Sequence, residues 1–465
     1  MRNQLKIVYS ALTMVAMLGL TSTVHGIPSF ARQTGLDCNS CHATVGYPSL
    51  NAFGQAFRAG GYTQASEDTL MGDGEALSLP KSLNLALVSK IRFHFKSATA
   101  LGAVDTATPG VADFKKTTTV GFNEVDMPDE WAIWLAGRAG KHIGFAAEFN
   151  QGGPLSFKMP IVYDIGPLKA GFVPYWTDAQ GPGWGFETLS TGAVGNVKMF
   201  ENGPAQSARM YLDDKGLSGN DGNATGFGLY LWHPMGFVYY SPYLRAGFGG
   251  ATDPQFAHNV RVAITPSIAG LDAAVGIQYM TGNNGVSAGG AIPDASIGGF
   301  GLVAAPRVVI STVNYFGIDG QVQGTVGIPM MLVFTFGMTD TLKGADGKAK
   351  AGSKATAWTV LLNATLVEDL LNVGAGVRMA SKTDYDATGK VAQVADPIAG
   401  TLYDSVTSDN QVIAEIKFNI ARNLRLSLTG YKQLNAVDVA TTTSYKVTTD
   451  STKEDKLTVM LFGAF

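Results

Sequence analysis

The sequence predicts a mainly β fold: a transmembrane antiparallel β-barrel of 16 strands, possible as 18, preceded by a small, partly helical region. Three observations carry this. Apolar and polar residues alternate with period two over segments of roughly ten residues, the spacing of a strand with a lipid face and a lumen face. The hydrophobic residues, 46% of the chain, fall in that alternation, and after the first 26 residues no apolar run approaches the length of a membrane helix. The connections between alternating segments sort into short and long ones, as barrel turns and outer loops do.

The first element is a transport signal, residues 1–26. Arg2 and Lys6 supply a positive start, Ile7 to Leu20 an apolar stretch, and Val24-His25-Gly26 small residues at the last and third-last positions, so cleavage is expected before Ile27. The apolar stretch is too short to span a bilayer comfortably. Loss of Arg2 and Lys6, and of no acid, takes the formal charge from -3 to -5. A mild acidic excess argues against nucleic acid as a partner.

Residues 27–80 form the second element. It contains the only two cysteines of the chain, in Cys38-Asn39-Ser40-Cys41-His42. Cys-x-x-Cys-His is the attachment motif of haem c. Cys38 and Cys41 are spaced to bond the two vinyl groups of one porphyrin, and His42 follows as the proximal iron ligand. Export agrees with this chemistry and disfavours a cytosolic zinc or dithiol site. Leu50, Phe53 and Phe57 recur at helical spacing, with Pro48 suited to a helix start and Gly60-Gly61 to its stop. A short helix there would lay Phe53 and Phe57 over a haem face, or pack them in an ordinary small core. A region this small is short of a robust independent core, which a covalent haem helps, and a barrel of 16 or more strands leaves a lumen that residues 27–80 are expected to enter as a monohaem cytochrome plug.

The barrel is expected over residues 81–465. Leu83, Leu85, Leu87, Ile91, Phe93 and Phe95 share one face of the first strand, and Asn84, Lys90, Arg92, His94 and Lys96 the other. The same alternation recurs over 143–150, 271–279, 412–420 and 457–465. Trp131, Trp134, Trp232, Tyr239, Tyr240, Tyr243, Tyr279 and Tyr431 suggest aromatic girdles. Short turns are expected near Gly140-Lys141, Gly166-Pro167, Pro234-Met235, Ala269-Gly270, Asp319-Gly320, Glu368-Asp369 and Arg422-Asn423, and long loops at 98–129, 176–190, 214–223, 246–257, 281–304, 340–355, 381–409 and 433–455. The strand number is 18 with a weak strand near Ala193–Phe200, or 16 if the segments on either side of Gly166 are not separate strands.

Beyond the motif, candidate residues are fewer. Met71 is the only methionine of residues 27–80, and His94 points into the lumen; either is a candidate sixth iron ligand, and an open or water-bound site is the alternative. His142 lies beside a short turn. Hard cations favour carboxylates, and acids gather at Asp105, Asp113, Glu124, Asp126 and Asp129 and again at Asp384, Asp386, Asp396 and Asp404, at a density ordinary for surface loops. The inward row Lys90, Arg92, His94 and Lys96, with Arg261, Arg378, Lys417 and Arg425, suggests a basic lumen that holds the N-terminal region or the haem propionates. The plainer reading is a wetted wall with counter-charges in Glu148 and Glu415.

Pro28-Ser29-Phe30-Ala31-Arg32-Gln33-Thr34-Gly35 running into Cys38-Asn39-Ser40-Cys41-His42, followed by one large barrel to a terminal Phe465, resembles the fused outer-membrane cytochrome–porins of iron-oxidising bacteria. A terminal phenylalanine is itself a feature of many bacterial outer-membrane barrels. The resemblance implies a bacterial outer-membrane location and a monohaem cytochrome that oxidises Fe(II) at the cell surface and passes electrons to a periplasmic carrier, a soluble cytochrome or copper protein. Only Cys38, Cys41 and His42 carry a family role; Arg32 has two readings, a propionate partner or a partner to a lumen carboxylate. Two other functions fit the same sequence. One is a redox conduit with another donor or the outward direction. The other is a solute porin with a haem-bearing gate.

Overall fold

The computed structural model describes residues 27–43, 49–66, 70–71, 79–81, 84–101, 117–150, 153–194, 200, 207–214, 222–245, 252–287, 292–293, 302–303, 311–342, 352–395, 402–404, 406–421, 423–434 and 455–465. The expected signal segment, 1–26, lies outside them. The dominant feature is a closed antiparallel barrel of 16 strands. In chain order these are β1 (Leu85–Leu101), β2 (Thr117–Arg138), β3 (Gly144–Asn150), β4 (Gly153–Lys158 continued by Ile161–Ile165), β5 (Leu168–Thr177), β6 (Ala224–His233), β7 (Gly236–Leu244) and β8 (Thr252–Ile264 continued by Ser267–Ile268). They continue as β9 (Leu271–Ser287), β10 (Ser311–Val326), β11 (Ile328–Asp340), β12 (Gly352–Val367), β13 (Leu371–Tyr385), β14 (Val406–Ser408 with Gln411–Ala421), β15 (Leu424–Gln433) and β16 (Asp455–Ala464). Each strand pairs with its sequence neighbours, and β16 closes on β1. Leu87 and Phe465 exchange both backbone hydrogen bonds at that seam, so the terminal residue is part of the closure.

The alternation sorts chemistry as expected. Leu87, Phe93 and Phe95 of β1, Val275, Ile277 and Tyr279 of β9, and Val412 and Ile416 of β14 are exposed outward, while His94, Ala274, Gln278, Glu415 and Lys417 are buried inside. An apolar exterior around a polar interior is the reverse of a soluble protein, and closure leaves no strand edge unpaired in hydrocarbon. No helix among the described residues is long and apolar enough to cross a membrane; the strands do so.

Several expectations are corrected. The first long loop is shorter than expected, because β2 starts at Thr117 and Glu124, Asp126 and Asp129 belong to it. Asp319-Gly320 is no turn but lies within β10; Asp319 points inward to Arg261, and the turn comes at Gly327, whose φ of 75 suits the reversal. The segments flanking Gly166 are two strands, and Ala193 and Val194 are in neither, so the number is 16 by another route. Of the proposed girdle aromatics, Trp134, Trp232, Tyr239, Tyr243 and Tyr431 are buried inside the barrel.

Those inward aromatics have a partner. The connection after β5 folds back into the barrel instead of forming an outer loop: residues 180–194 are buried, Pro182–Gly185 makes a 3-10 turn, and a short helix, Ala208–Asp214, lies against β11 and β12. Trp184 packs with Trp134, Tyr175 and Tyr243, and Phe186 stacks on Tyr230 at 3.9 Å. Arg261 of β8 clamps it, reaching Glu187 at 2.5 Å and Asp319 of β10 at 2.6 Å.

Candidate functional site

The cysteine motif is built from one turn and one strap. Cys38–Ser40 form a 3-10 turn, and the amides of Cys41 and His42 both donate to the Cys38 carbonyl, at 3.1 and 3.0 Å. Both sulfurs therefore leave one tight loop, with the histidine next in line. His42 pairs with Leu50 in an isolated bridge, and its Nδ1 lies 3.2 Å from the Ser49 carbonyl oxygen. A carbonyl only accepts, so Nδ1 carries the proton and Nε2 is the nitrogen presented for ligation.

Asn51 is the strap. Its side-chain amide donates to the carbonyls of Asn39, Ser40 and His42 at 3.3, 3.1 and 3.2 Å, and its backbone amide donates to Cys41 at 3.0 Å. Its Oδ1 caps the following helix, Ala52–Ala59, by accepting from the Gly54 amide at 2.9 Å. That helix packs backbone to backbone on the motif: a Cβ on Gly54 would sit 2.0 Å from the Cys41 carbonyl oxygen. The sequence places Pro48 at the start of this helix and Leu50 on its face; it begins instead at Ala52, Leu50 lies in the bridge to His42, and Pro48 lies outside the described residues. Sequence reasoning missed the strap, although Asn three residues ahead of Gly54 is an N-cap signal.

The N-terminal segment is fastened to the inner wall at many points. The helix Pro28–Thr34 starts with proline and ends on Gly35 in the left-handed region. Gln33, fully buried, donates to the carbonyls of Tyr62 and Gln64 and accepts from the Arg138 amide of β2, all at 2.7 Å. Arg32 donates to the Leu85 carbonyl at the start of β1, and Thr34 donates to Phe30 within its own helix. Asn39 of the motif donates to Asp369 at 2.9 Å, in the short turn between β12 and β13, and Gln323 of β10 donates to the Leu50 carbonyl at 3.0 Å. These contacts lie at the short-turn end of the barrel. Phe57 is buried with Phe30, Tyr62, Ala136 and Ala146, so it faces the wall instead of covering a haem; Phe53 and Leu36, close to the motif, are partly exposed.

The residues fit a covalent haem better than the alternatives. No disulfide joins Cys38 and Cys41. Burial, with Cys38 beside it, pushes the Cys41 thiol up to about 11, the opposite of the activated thiolate of a redox dithiol. Among the described residues, no group of three metal-ligating side chains includes the motif, whereas structural zinc needs four ligands. Two thiols, an oriented imidazole and partly exposed apolar side chains alongside match haem c.

The other candidates stand elsewhere. His94 is nine residues along β1 from Leu85, about 30 Å of strand, and its ring is held by Thr458 and Asp126. Met71 falls in a two-residue ladder, Leu70–Met71 with Leu79–Pro80, and its side chain lies outside the described residues. His142 meets the Val162 carbonyl at 3.0 Å and stacks on Tyr163. The basic row is matched by acids: Lys90 with Glu130, Arg92 with Asp129, His94 with Asp126 and Lys96 with Glu124. Arg378 meets Asp409 and Lys417 meets Glu415, while Arg425 meets the neutral Asn419, so most of the expected basic row is matched by acids. Asp105, Asp113 and Asp396 lie outside the described residues. Asp384 accepts from Ser353, and Asp386 organises a turn through Thr388.

No known protein family matches the chain, and no curated protein does. Among solved structures it is similar to in-vitro folded OmpT, an outer membrane protein of Vibrio cholerae, at 10% identity and a TM-score of 0.45, over 83% of this chain and 99% of that one. It is also similar to a mutant of the Rh. blastica porin, at 10% identity and a TM-score of 0.39, over 82% of this chain and all of that one. What the barrel and the site define together is a membrane-spanning β-barrel with a Cys-x-x-Cys-His segment fastened inside its short-turn end.

Proposed function

We propose that this chain is an outer-membrane monohaem cytochrome that oxidises Fe(II) at the cell surface and passes electrons to a periplasmic carrier. The observation that carries it is the attachment motif held at one mouth of a closed barrel, with His42 oriented through Ser49. Cys38 and Cys41 form the thioethers and His42 is the axial ligand. When bound, haem c supplies a one-electron Fe(III)/Fe(II) couple. Asn51 fixes the turn that sets both sulfurs and the imidazole, and Gly54 lets the helix shield one side. In outer-membrane barrels short turns face the periplasm, so the short-turn position of the motif supports delivery to a periplasmic partner. Fe(II) as donor rests on the resemblance of the N-terminal residues.

The test is reconstitution in liposomes with Fe(II) added outside and the haem spectrum followed. Prompt reduction is expected. Reduction only by a donor on the short-turn side would replace this reading with the outward or other-donor conduit. Cys41→Ala removes a thioether and should abolish the normal covalent haem signal while the barrel still assembles.

A further inference from the structure

The strand register brings three metal-ligating side chains together far from the cysteine motif. His94 of β1 lies opposite Glu124 of β2, and Asp126 is the next inward residue of the same strand. One ligand atom from each, an imidazole nitrogen and two carboxylate oxygens, lies within 4.8 Å of the other two. Metal–ligand bonds of about 2.0–2.2 Å put ligand atoms slightly closer than this, so small side-chain rotations complete the set. We propose that His94, Glu124 and Asp126 form a divalent-metal site on the lumen wall, suited to Fe(II).

A second observation concerns how the imidazole is held. Thr458 of β16 lies opposite His94 on its other side, and its Oγ1 is 2.9 Å from Nδ1. His94 Nε2 is 3.1 Å from Asp126 Oδ2. Thr458 can donate to Nδ1, which leaves a proton on Nε2 for Asp126. Alternatively its oxygen accepts from Nδ1–H, and the Nε2 lone pair then faces a carboxylate. That second arrangement brings two electron-rich atoms together and calls for a cation between them. A hydroxyl rotor behind the imidazole thus serves both the metal-free and the metal-bound state, and it is the kind of outer partner that orients a metal-ligating histidine. The buried ring and the more exposed carboxylates leave the open side toward the lumen.

The ligand set also speaks to the class of metal. One nitrogen and two hard oxygens suit Fe(II), Mn(II) or Zn(II) and not a soft thiophilic ion. Lys96 pairs with Glu124, and Arg92 and Lys456 add further positive charge nearby. These cations compete with the metal and weaken binding, a property suited to an ion that must leave again. Fe(II) as natural occupant rests on the function proposed above; metal binding itself does not.

The test uses the full haem-loaded protein in detergent, titrated with Mn(II) while free Mn(II) is read by EPR, with anoxic Fe(II) as competitor. A single saturable site displaced by Fe(II) is expected. His94→Ala and Asp126→Asn should weaken it by roughly tenfold or more, and Thr458→Val, which keeps all three ligands, by about tenfold. Lys96→Met should tighten it, because a competitor for Glu124 is gone. Haem content and gel mobility of the folded barrel control for assembly. No saturable binding, variants that bind like the parent, or Lys96→Met binding no tighter would each overturn the site. If the site behaves as expected while Fe(II) fails to reduce the haem, the site stands and the iron-oxidation reading falls.

Discussion

At the residue scale, Asn51 joins two structures that neither could hold alone. Its amide spans three carbonyls of the cysteine turn while its oxygen caps the next helix. Asn51→Ala loses both, and the cap alone costs about 1 kcal/mol. Asn51→Asp keeps the cap and loses the donors. If the strap sets the sulfurs, both variants should show severalfold less covalent haem per folded barrel, and Asp should recover only thermal stability. Parent-like haem content in both would show the strap to be unnecessary. Tyr62 gives a pH prediction. Burial raises its hydroxyl, but Lys158 and Arg58 outweigh that and lower it to about 8. A phenol depressed from its ordinary value of 10.0 stabilises the folded state most above that value, and the contribution is lost as pH falls through 8. The stability of the parent in detergent should therefore rise from pH 8 toward pH 10 relative to Tyr62→Phe, read as a rising difference in thermal midpoint. A flat difference between the two proteins across that range would contradict the pairing.

At the element scale, buried cations hold the inward segment after β5: Lys158 donates to the Trp184 carbonyl at 3.2 Å, and Arg261 carries the largest share of the ion pairing. Arg261 meets Glu187 of that segment and Asp319 of β10, and it also donates to Thr191. Arg261→Met strands two carboxylates and should cost about 3 kcal/mol, read as faster proteolysis within 178–194 with the barrel intact. Unchanged protection would mean that the aromatic contacts suffice. The same segment marks where sequence reading stops. Strand faces were legible because a period of two ties each residue to one side of the sheet, so His94 and Phe95 could be sorted without partners. The segment was not legible, because its burial is decided by Arg261, Tyr239 and Tyr230, which come later in the chain and lie on other strands. One signal was present: Tyr230, Trp232, Phe237, Tyr239 and Tyr243 occupy lumen-facing positions, and large apolar side chains do not face water without cover. Asp319-Gly320 misled for a related reason, since the Asp is there to meet Arg261 and not to turn the chain. Within the site, Cys38, Cys41 and His42 were readable from spacing, whereas Ser49, Asn51 and Gln33 act through backbone contacts that spacing does not encode.

At the scale of the whole molecule, a barrel of 16 strands is wide enough for an aqueous channel, and two segments enter this one. The N-terminal segment is fastened at the short-turn end through Gln33, Asn39 and Leu50, and the segment after β5 is packed against β6, β7 and β8. A solute porin and an electron conduit make opposite demands on that interior. A porin needs continuous water, while a conduit gains from packed matter that brings redox groups closer and keeps the outer membrane sealed. The full chain in planar bilayers should therefore conduct less than a variant in which residues 179–221 are replaced by a short polar linker. Asn39→Ala together with Gln33→Ala, which loosens the other segment, should raise conductance further in that background. If the parent already conducts as well as the shortened variant, the inward segment leaves the path open, and the solute-porin reading gains over the conduit.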